Sequence, residues 1–438
     1  MPQKPSPKFG DKVRIKAKNQ ELSGIFIPSA NPKIILLKLD SGYNMGIEKN
    51  KIISLTIESS HKNEKQENQG KKFQNQNKSL PKISIISVGG TITSKIDYKT
   101  GAVLSLSSPD DIIKNIPELQ AMAYLSYSQP FTIMSESMRF AHYNLLAKEI
   151  ERIIKTQPKG IIIAHGTDTL HYSAAALAFM LENPPCPIIL VGSQRSSDRG
   201  SSDSSSNLLN AVKFILESNF KGVAICMHSS SSDDHCFILP ATKTRKMHTS
   251  RRDAFKPINC PPIAKISYQG NSLQYIDKPS NKEGKFNIKF FKENIKVGLI
   301  KAHPNLQPEN ILAFKNYKGL ILEGTGLGHF PTSSPDKYSK INLKIKAAIQ
   351  KLIKSNCVVI LTSQCIFGRV NMNVYSPQKE LQELGVIPGD DLTTETALIK
   401  LAFLLSNYPA KEAKKLMLEN LRGEFNQRIL PDQYFDEK

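Results

Sequence analysis

Residues 161–169 read I-I-I-A-H-G-T-D-T. Four apolar residues without polar interruption predict a short strand buried on both faces, as in a parallel sheet covered by helices. The chain then turns polar at His165, Gly166, Thr167, Asp168 and Thr169, and residues 171–181 (H-Y-S-A-A-A-L-A-F-M-L) follow with a helix-compatible pattern. Strand, tight turn and helix together place a hydroxyl and a carboxylate at a strand's carboxyl end. In open α/β sheets, ligands bind in the crevice at that end. Two readings stay open at this point: Thr167 or Asp168 caps the helix, or they carry chemistry.

The same design recurs. Residues 81–88 (P-K-I-S-I-I-S-V) predict a strand running into Gly89-Gly90-Thr91-Ile92-Thr93, where two glycines allow a tight turn and Thr91 projects like Thr167. No phosphate cradle is spelled here, because neither G-x-G-x-x-G nor a G-K-[ST] ending is present. Residues 131–139 (F-T-I-M-S-E-S-M-R) predict a strand ending at Ser135-Glu136. Further strands are expected at 188–191, leading into a serine-rich loop, and at 222–227. The polar stretch 94–102, which contains Tyr98, reads as a lid or a plain surface loop. In 241–259, six cations (Lys243, Arg245, Lys246, Arg251, Arg252, Lys256) fall among few apolar residues. That segment is either a solvated basic loop or an active-site element facing an anion.

At 438 residues, two or three domains are expected. Residues 1–57 hold short alternating strands and predict a small SH3-like β-barrel. Residues 58–80 are polar and rich in Lys, Asn and Gln, which predicts a linker. A larger α/β domain is expected over 81–268, a connector over 269–294, and a smaller α/β domain with a helical tail over 295–438. Helices are expected at 109–115, 142–155, 208–216, 341–355, 394–405 and 410–421. The formal charge of +20 favours a polyanionic partner. Six scattered cysteines without a C-x-x-C pair read as reduced thiols, not as a disulfide frame or a metal site. No apolar run approaches the ~20 residues of a membrane span, so a cytoplasmic chain with no membrane partner is expected.

Several of these loops resemble one family. V-G-G-T-I (88–92), H-G-T-D-T (165–169), V-G-S-Q-R (191–195), G-T-G-L-G-H (324–329) and T-S-Q-C…G-R-V-N (362–371) resemble the L-asparaginases. The wording is closer still to one branch of them, the D subunits of archaeal glutamyl-tRNA(Gln) amidotransferases. H-Y-S-A-A-A-L-A-F (171–179), R-K-M-H-T-S-R-R-D-A-F (245–255), G-V-I-P-G-D-D-L (385–392) and the leading barrel carry that likeness. The resemblance implies an α/β fold in which a small N-terminal β-barrel precedes a two-domain asparaginase-like parallel-sheet core.

It also implies roles. Thr91 would attack the side-chain amide carbon of L-glutamine and form an acyl-enzyme. Thr167, Asp168 and Lys246 would handle protons, since a threonine hydroxyl is a poor nucleophile near neutral pH without a positioned base. Tyr98, Ser135 and Glu136 would bind substrate, with Ser135 and Glu136 at its α-amino and α-carboxylate groups. Stand-alone bacterial asparaginases typically carry glutamine where this chain has Glu136. A second departure is the S-S-S-S-D-D tract after His228, where a glycine is expected. No cofactor is implied for this subunit; ATP and magnesium would serve a kinase and transamidase partner subunit acting on Glu-tRNA(Gln). A homodimer within a heterotetramer is implied. The rival readings are a stand-alone L-asparaginase and a non-catalytic subunit that docks tRNA or its partner.

Overall fold

A computed structural model describes residues 7–18, 20–27, 29, 31–39, 44–59, 76–89, 94–96, 103–105, 116–195, 202–270, 272–277 and 283–429. The N-terminal strands β1 (Lys12–Ala17), β2 (Gln20–Ile27), β3 (Ile34–Leu39), β4 (Asn44–Glu48) and β5 (Ile52–Ser59) form one antiparallel sheet in the order β4-β3-β2-β1-β5. Alternation in β1 turns Val13, Ile15 and Ala17 inward, where they meet Leu37 and Ile47 in a core separate from the rest of the chain. Among the described residues, the edge strands β4 and β5 are not paired with each other.

The next elements are β6 (Lys82–Ser87), β7 (Tyr124–Ser128), α1 (Phe140–Ile154), β8 (Gly160–Ala164), α2 (Leu170–Met180), β9 (Pro187–Val191), α3 (Ser204–Glu217) and β10 (Gly222–His228). They are followed by β11 (Cys236–Pro240), β12 (Thr244–Lys246), β13 (Phe255–Pro257), β14 (Ala264–Ser267) and β15 (Ser272–Tyr275). One eight-stranded sheet runs β15-β14-β11-β10-β9-β8-β6-β7. Strands β7, β6, β8, β9 and β10 are mutually parallel, and β11, β14 and β15 extend them antiparallel. The isoleucines behave as their uninterrupted run predicts: Ile161, Ile162 and Ile163 are fully buried. Each such side chain contributes roughly 1.5–3 kcal/mol relative to exposure.

Two stretches differ from the pattern-based expectation. Residues 131–134 are not a strand; the strand of that region is β7, and Ser135–Ser137 form a short 3-10 turn. β7 reads Y-L-S-Y-S, polar enough to hide its strand character, and it serves as the sheet's edge beside β6. The expected connector supplies β15, whose pairing with β14 makes it the opposite edge. The expected helix at 109–115 lies outside the described residues.

The smaller domain holds a four-stranded parallel sheet in the order β16-β17-β18-β19. Its strands are β16 (Val297–Lys301), β17 (Gly319–Gly324), β18 (Val358–Ser363) and β19 (Ile387–Pro388), with helix α4 (Ile341–Lys354) between β17 and β18. The closing helices α5 (Thr394–Asn407) and α6 (Ala410–Met417) share one core with α2. α2 is buried on nearly every side, so it is small and apolar throughout, and Phe179 stacks on Phe403 at 5.9 Å.

Candidate active site

Parallel strands in the spatial order β7-β6-β8-β9-β10 follow the chain order 2-1-3-4-5. The connections therefore leave β6 in opposite directions, and a crevice opens outside the carboxyl ends of β6 and β8. Both threonine-bearing loops start there. Val88 N–H donates to Ala164 O at 3.1 Å, and Ile133 N–H donates to Val88 O at 3.1 Å, so three loop roots are tied together. Gly89 adopts φ +112°, and a Cβ at this position would stand 2.2 Å from Ile133 O. Only glycine fits that close passage. Thr91 and Tyr98 lie outside the described residues.

After β8, the buried Thr167 and the exposed Asp168 meet a lysine from far along the chain. Lys246 Nζ donates to Thr167 Oγ1 at 2.9 Å and to Asp168 Oδ1 at 2.8 Å. Lys246 arrives on the short hairpin of β12 and β13, in which Lys246 faces Phe255. Its side chain is only 12% exposed, while that of Asp168 is 62% exposed. The pair thus reaches from a buried hydroxyl to solvent. The capping alternative is not realised: Thr169 is the residue preceding α2 and makes no side-chain cap bond, while Asp168 is turned to Lys246.

The turn Ser135–Ser137 is fastened to the same loop. Asp168 N–H donates to Ser135 Oγ at 3.2 Å, and Thr169 Oγ1 donates to Ser135 O at 2.6 Å. Ser135 is buried, whereas its neighbour Glu136 presents an exposed carboxylate. Among the described residues, the fold therefore gathers Thr167, Asp168, Lys246 and Ser135 at one crevice.

The nearby imidazoles are held neutral. His165 is pulled down to about 4 by burial. Its Nδ1 lies 2.6 Å from Gly166 O, which can only accept, so Nε2 accepts from Ser173 Oγ at 2.8 Å. His171 falls to about 3 through burial, with Arg245 and Lys246 adding to the effect. Neither ring can hold a proton near neutrality.

Two positioning features escape the sequence pattern. Gly192, after β9, leaves room for Thr167, because a Cβ there would come within 2.8 Å of Thr167 Cγ2. Asp203 is fully buried and gathers the loop after β9: it accepts from Ser193 Oγ (2.9 Å), Gln194 N–H (3.0 Å) and Arg195 N–H (3.0 Å). In the sequence, the glycine of V-G-S-Q-R and the mixture of Arg195, Asp198, Arg199 and Asp203 within the serine tract suit an ordered loop, without marking which carboxylate gathers it.

Fold and site together define an asparaginase-type amidohydrolase. Residues 82–281 match the family model described as Asparaginase, N-terminal, and residues 296–417 match the Glutaminase/Asparaginase C-terminal domain. The L-asparaginase of Thermococcus kodakarensis superposes with a TM-score of 0.70 at 28% identity, covering 79% of this chain and 100% of that one. Residues 8–57 match the GatD N-terminal domain. The glutamyl-tRNA(Gln) amidotransferase D subunit of Methanococcus maripaludis is 43% identical over 428 residues, covering 96% of this chain and 99% of its own. The Archaeoglobus fulgidus protein of that name is 40% identical over 423 residues, covering 95% and 94%. The chain belongs to the D-subunit family of glutamyl-tRNA(Gln) amidotransferases.

Proposed function

We propose that this chain hydrolyses L-glutamine and supplies the ammonia with which a partner subunit converts Glu-tRNA(Gln) to Gln-tRNA(Gln). The observation that carries the chemistry is the Lys246 ammonium bridging Thr167 Oγ1 and Asp168 Oδ1. In this reading Thr91 Oγ adds to the side-chain amide carbon, and its proton passes through Thr167 and Lys246 to the amide nitrogen. The C–N bond breaks, ammonia leaves, and Thr91 holds the γ-glutamyl group as an ester. Water then adds to the ester, its C–O bond breaks, and the proton returns to Thr91. Asp168 keeps Lys246 aligned through both halves, and general acid–base transfer by a positioned side chain typically contributes ~10²–10⁴. Backbone N–H groups near Gly90 and Thr167 would steady the oxyanion. Ser135 and Glu136 would hold the α-amino and α-carboxylate groups, and Tyr98 would close over them.

The partner subunit would spend ATP, with magnesium, on activating the glutamyl end of the tRNA, and the assembly would be a homodimer of this chain with two partners in the cytoplasm. No helix among the described residues is long and apolar enough to cross a membrane. The transamidation reading is favoured over free asparagine hydrolysis by coverage. The Thermococcus asparaginase accounts for 79% of the chain, whereas the Methanococcus relative accounts for 96%.

The test is ammonia release from glutamine and from asparagine, by the chain alone and with partner subunit, ATP and Glu-tRNA(Gln). Glutamine turnover that appears or rises strongly in the full mixture supports the proposal. Brisk asparagine turnover by the lone chain overturns it in favour of a free asparaginase. Unchanged Gln-tRNA(Gln) formation from glutamine by Thr91→Val complexes would point to a docking role without catalysis.

A further inference from the structure

The +20 charge does not lie free at the crevice. Lys246 pairs with Asp168, Arg245 with Glu395, Lys243 with Asp391, Arg251 and Lys256 with Asp253, and Arg252 with Asp233. Each of the six cations of 241–259 thus has a carboxylate partner, five carboxylates in all, of which only Asp253 belongs to the segment itself. Unpaired ammonium groups collect elsewhere.

A cleft of about 460 Å³ in the smaller domain is lined by Lys292, Lys296 and Lys318 together with Asn294, Asn316 and Asn356. Its place follows from topology. Lys296 and Lys318 immediately precede β16 and β17, and Asn356 lies just before β18, so the cleft runs along the amino ends of three adjacent parallel strands. Backbone bonds fix that row: Lys318 N–H donates to Lys296 O, and Val358 N–H donates to Lys318 O, both at 2.9 Å. Neighbouring strands stand about 4.8 Å apart, so the two lysines are launched side by side. All three lysines are exposed. No carboxylate is among the lining residues, and among the described residues none of the three ammonium groups has an ion-pair partner.

Three exposed ammonium groups around one cleft without counter-ions raise the local positive potential and attract an anion. Lysine ammoniums are mobile point charges and lack the fixed fork by which arginine orients a single phosphate or carboxylate. Such groups suit a series of phosphates, and the asparagine amides can donate to phosphate or sugar oxygens. We propose that this cleft docks the phosphodiester backbone of duplex RNA by charge, without reading bases. The proposal rests on the cleft alone and stands whichever amide the crevice hydrolyses.

The test is fluorescence anisotropy of the full chain with a labelled RNA duplex of about 20 base pairs, longer than the ~16 base pairs spanned by a typical double-stranded-RNA domain. It is run from roughly 50 to 200 mM salt. The triple variant Lys292→Gln/Lys296→Gln/Lys318→Gln should bind at least tenfold more weakly. Its log–log salt slope should be shallower by about 2–3, one phosphate contact per lysine. A charge-matched variant, Lys33→Gln/Lys49→Gln/Lys51→Gln on the N-terminal sheet, should bind like the parent, and both should keep its melting temperature. Several results would overturn the proposal. They are no binding by the parent chain, an unchanged slope in the cleft variant, or loss in the N-terminal variant alone. Displacement of the RNA by equimolar inorganic phosphate would assign a small-anion site instead. Equal binding of polyglutamate, lost in the same cleft variant, would assign an acidic protein partner.

Discussion

Gly192 backs directly onto Thr167: a Cβ on this glycine would stand 2.8 Å from Thr167 Cγ2 and 2.9 Å from Leu170 Cδ1. Thr167 is itself held by Lys246 on its hydroxyl side at 2.9 Å, so the residue is located from both flanks. Gly192→Ala should push Thr167 off the lysine. We expect glutamine-dependent turnover of the assembled enzyme to fall about 10–100-fold, since a misplacement of about 1 Å can cost ~10² in rate, at a stability cost of about 1–3 kcal/mol. Steady-state rates alongside urea unfolding check this; full activity would mean the loop after β9 yields freely.

Lys246→Ala should abolish amidation driven by glutamine, lowering it at least ~10²-fold, while amidation driven by added ammonium chloride persists. Comparing the two nitrogen sources in one preparation separates the roles. Loss of both would show that Lys246 serves the fold or assembly and not a proton relay.

Lys243 lies three residues before Lys246 and does different work. Its Nζ donates to Asp391 Oδ2 at 2.6 Å and Asp391 O at 2.8 Å, with both side chains buried. Lys243→Met alone should destabilise by about 3–5 kcal/mol, because it strands a buried carboxylate. Adding Asp391→Leu should recover part of that loss. Denaturant melts of the two single variants and the double would test the coupling, and strict additivity would argue against it.

Acid should weaken the fold through His165. Burial holds its pKa at about 4, below the ordinary histidine value of 6.5. Its contribution is complete above pH 6.5 and is lost as pH falls from there toward 4, since only the unfolded chain binds the proton. The full effect is about 3 kcal/mol. His171 acts in the same direction, pulled to about 3. His228 opposes them: burial lowers its pKa, but Cys236 and Asp233 outweigh burial and raise it. Unfolding free energies measured from pH 7 to 4.5 should decline, and less steeply in His165→Gln. A flat profile would contradict a neutral buried His165.

The strands of the core and the loops that carry chemistry are legible in the chain. Uninterrupted isoleucine runs admit few environments other than a doubly covered parallel sheet, and each run breaks abruptly into glycine, threonine or serine. The polar edge strands β7 and β15 are not legible, because an edge strand needs no apolar run; β7 is defined by β6, some forty residues earlier, and β15 pairs with β14 directly before it through a polar hairpin. Composition also cannot sort the cations of 241–259. Lys243 and Lys246 are alike as residues, yet one is sealed against Asp391 and the other reaches Thr167 and Asp168. Sequence sets periodicity and chain direction. Desolvation, pairing and close approach, including the space Gly192 leaves for Thr167, belong to neighbours brought together across many residues, and only the tertiary structure decides them.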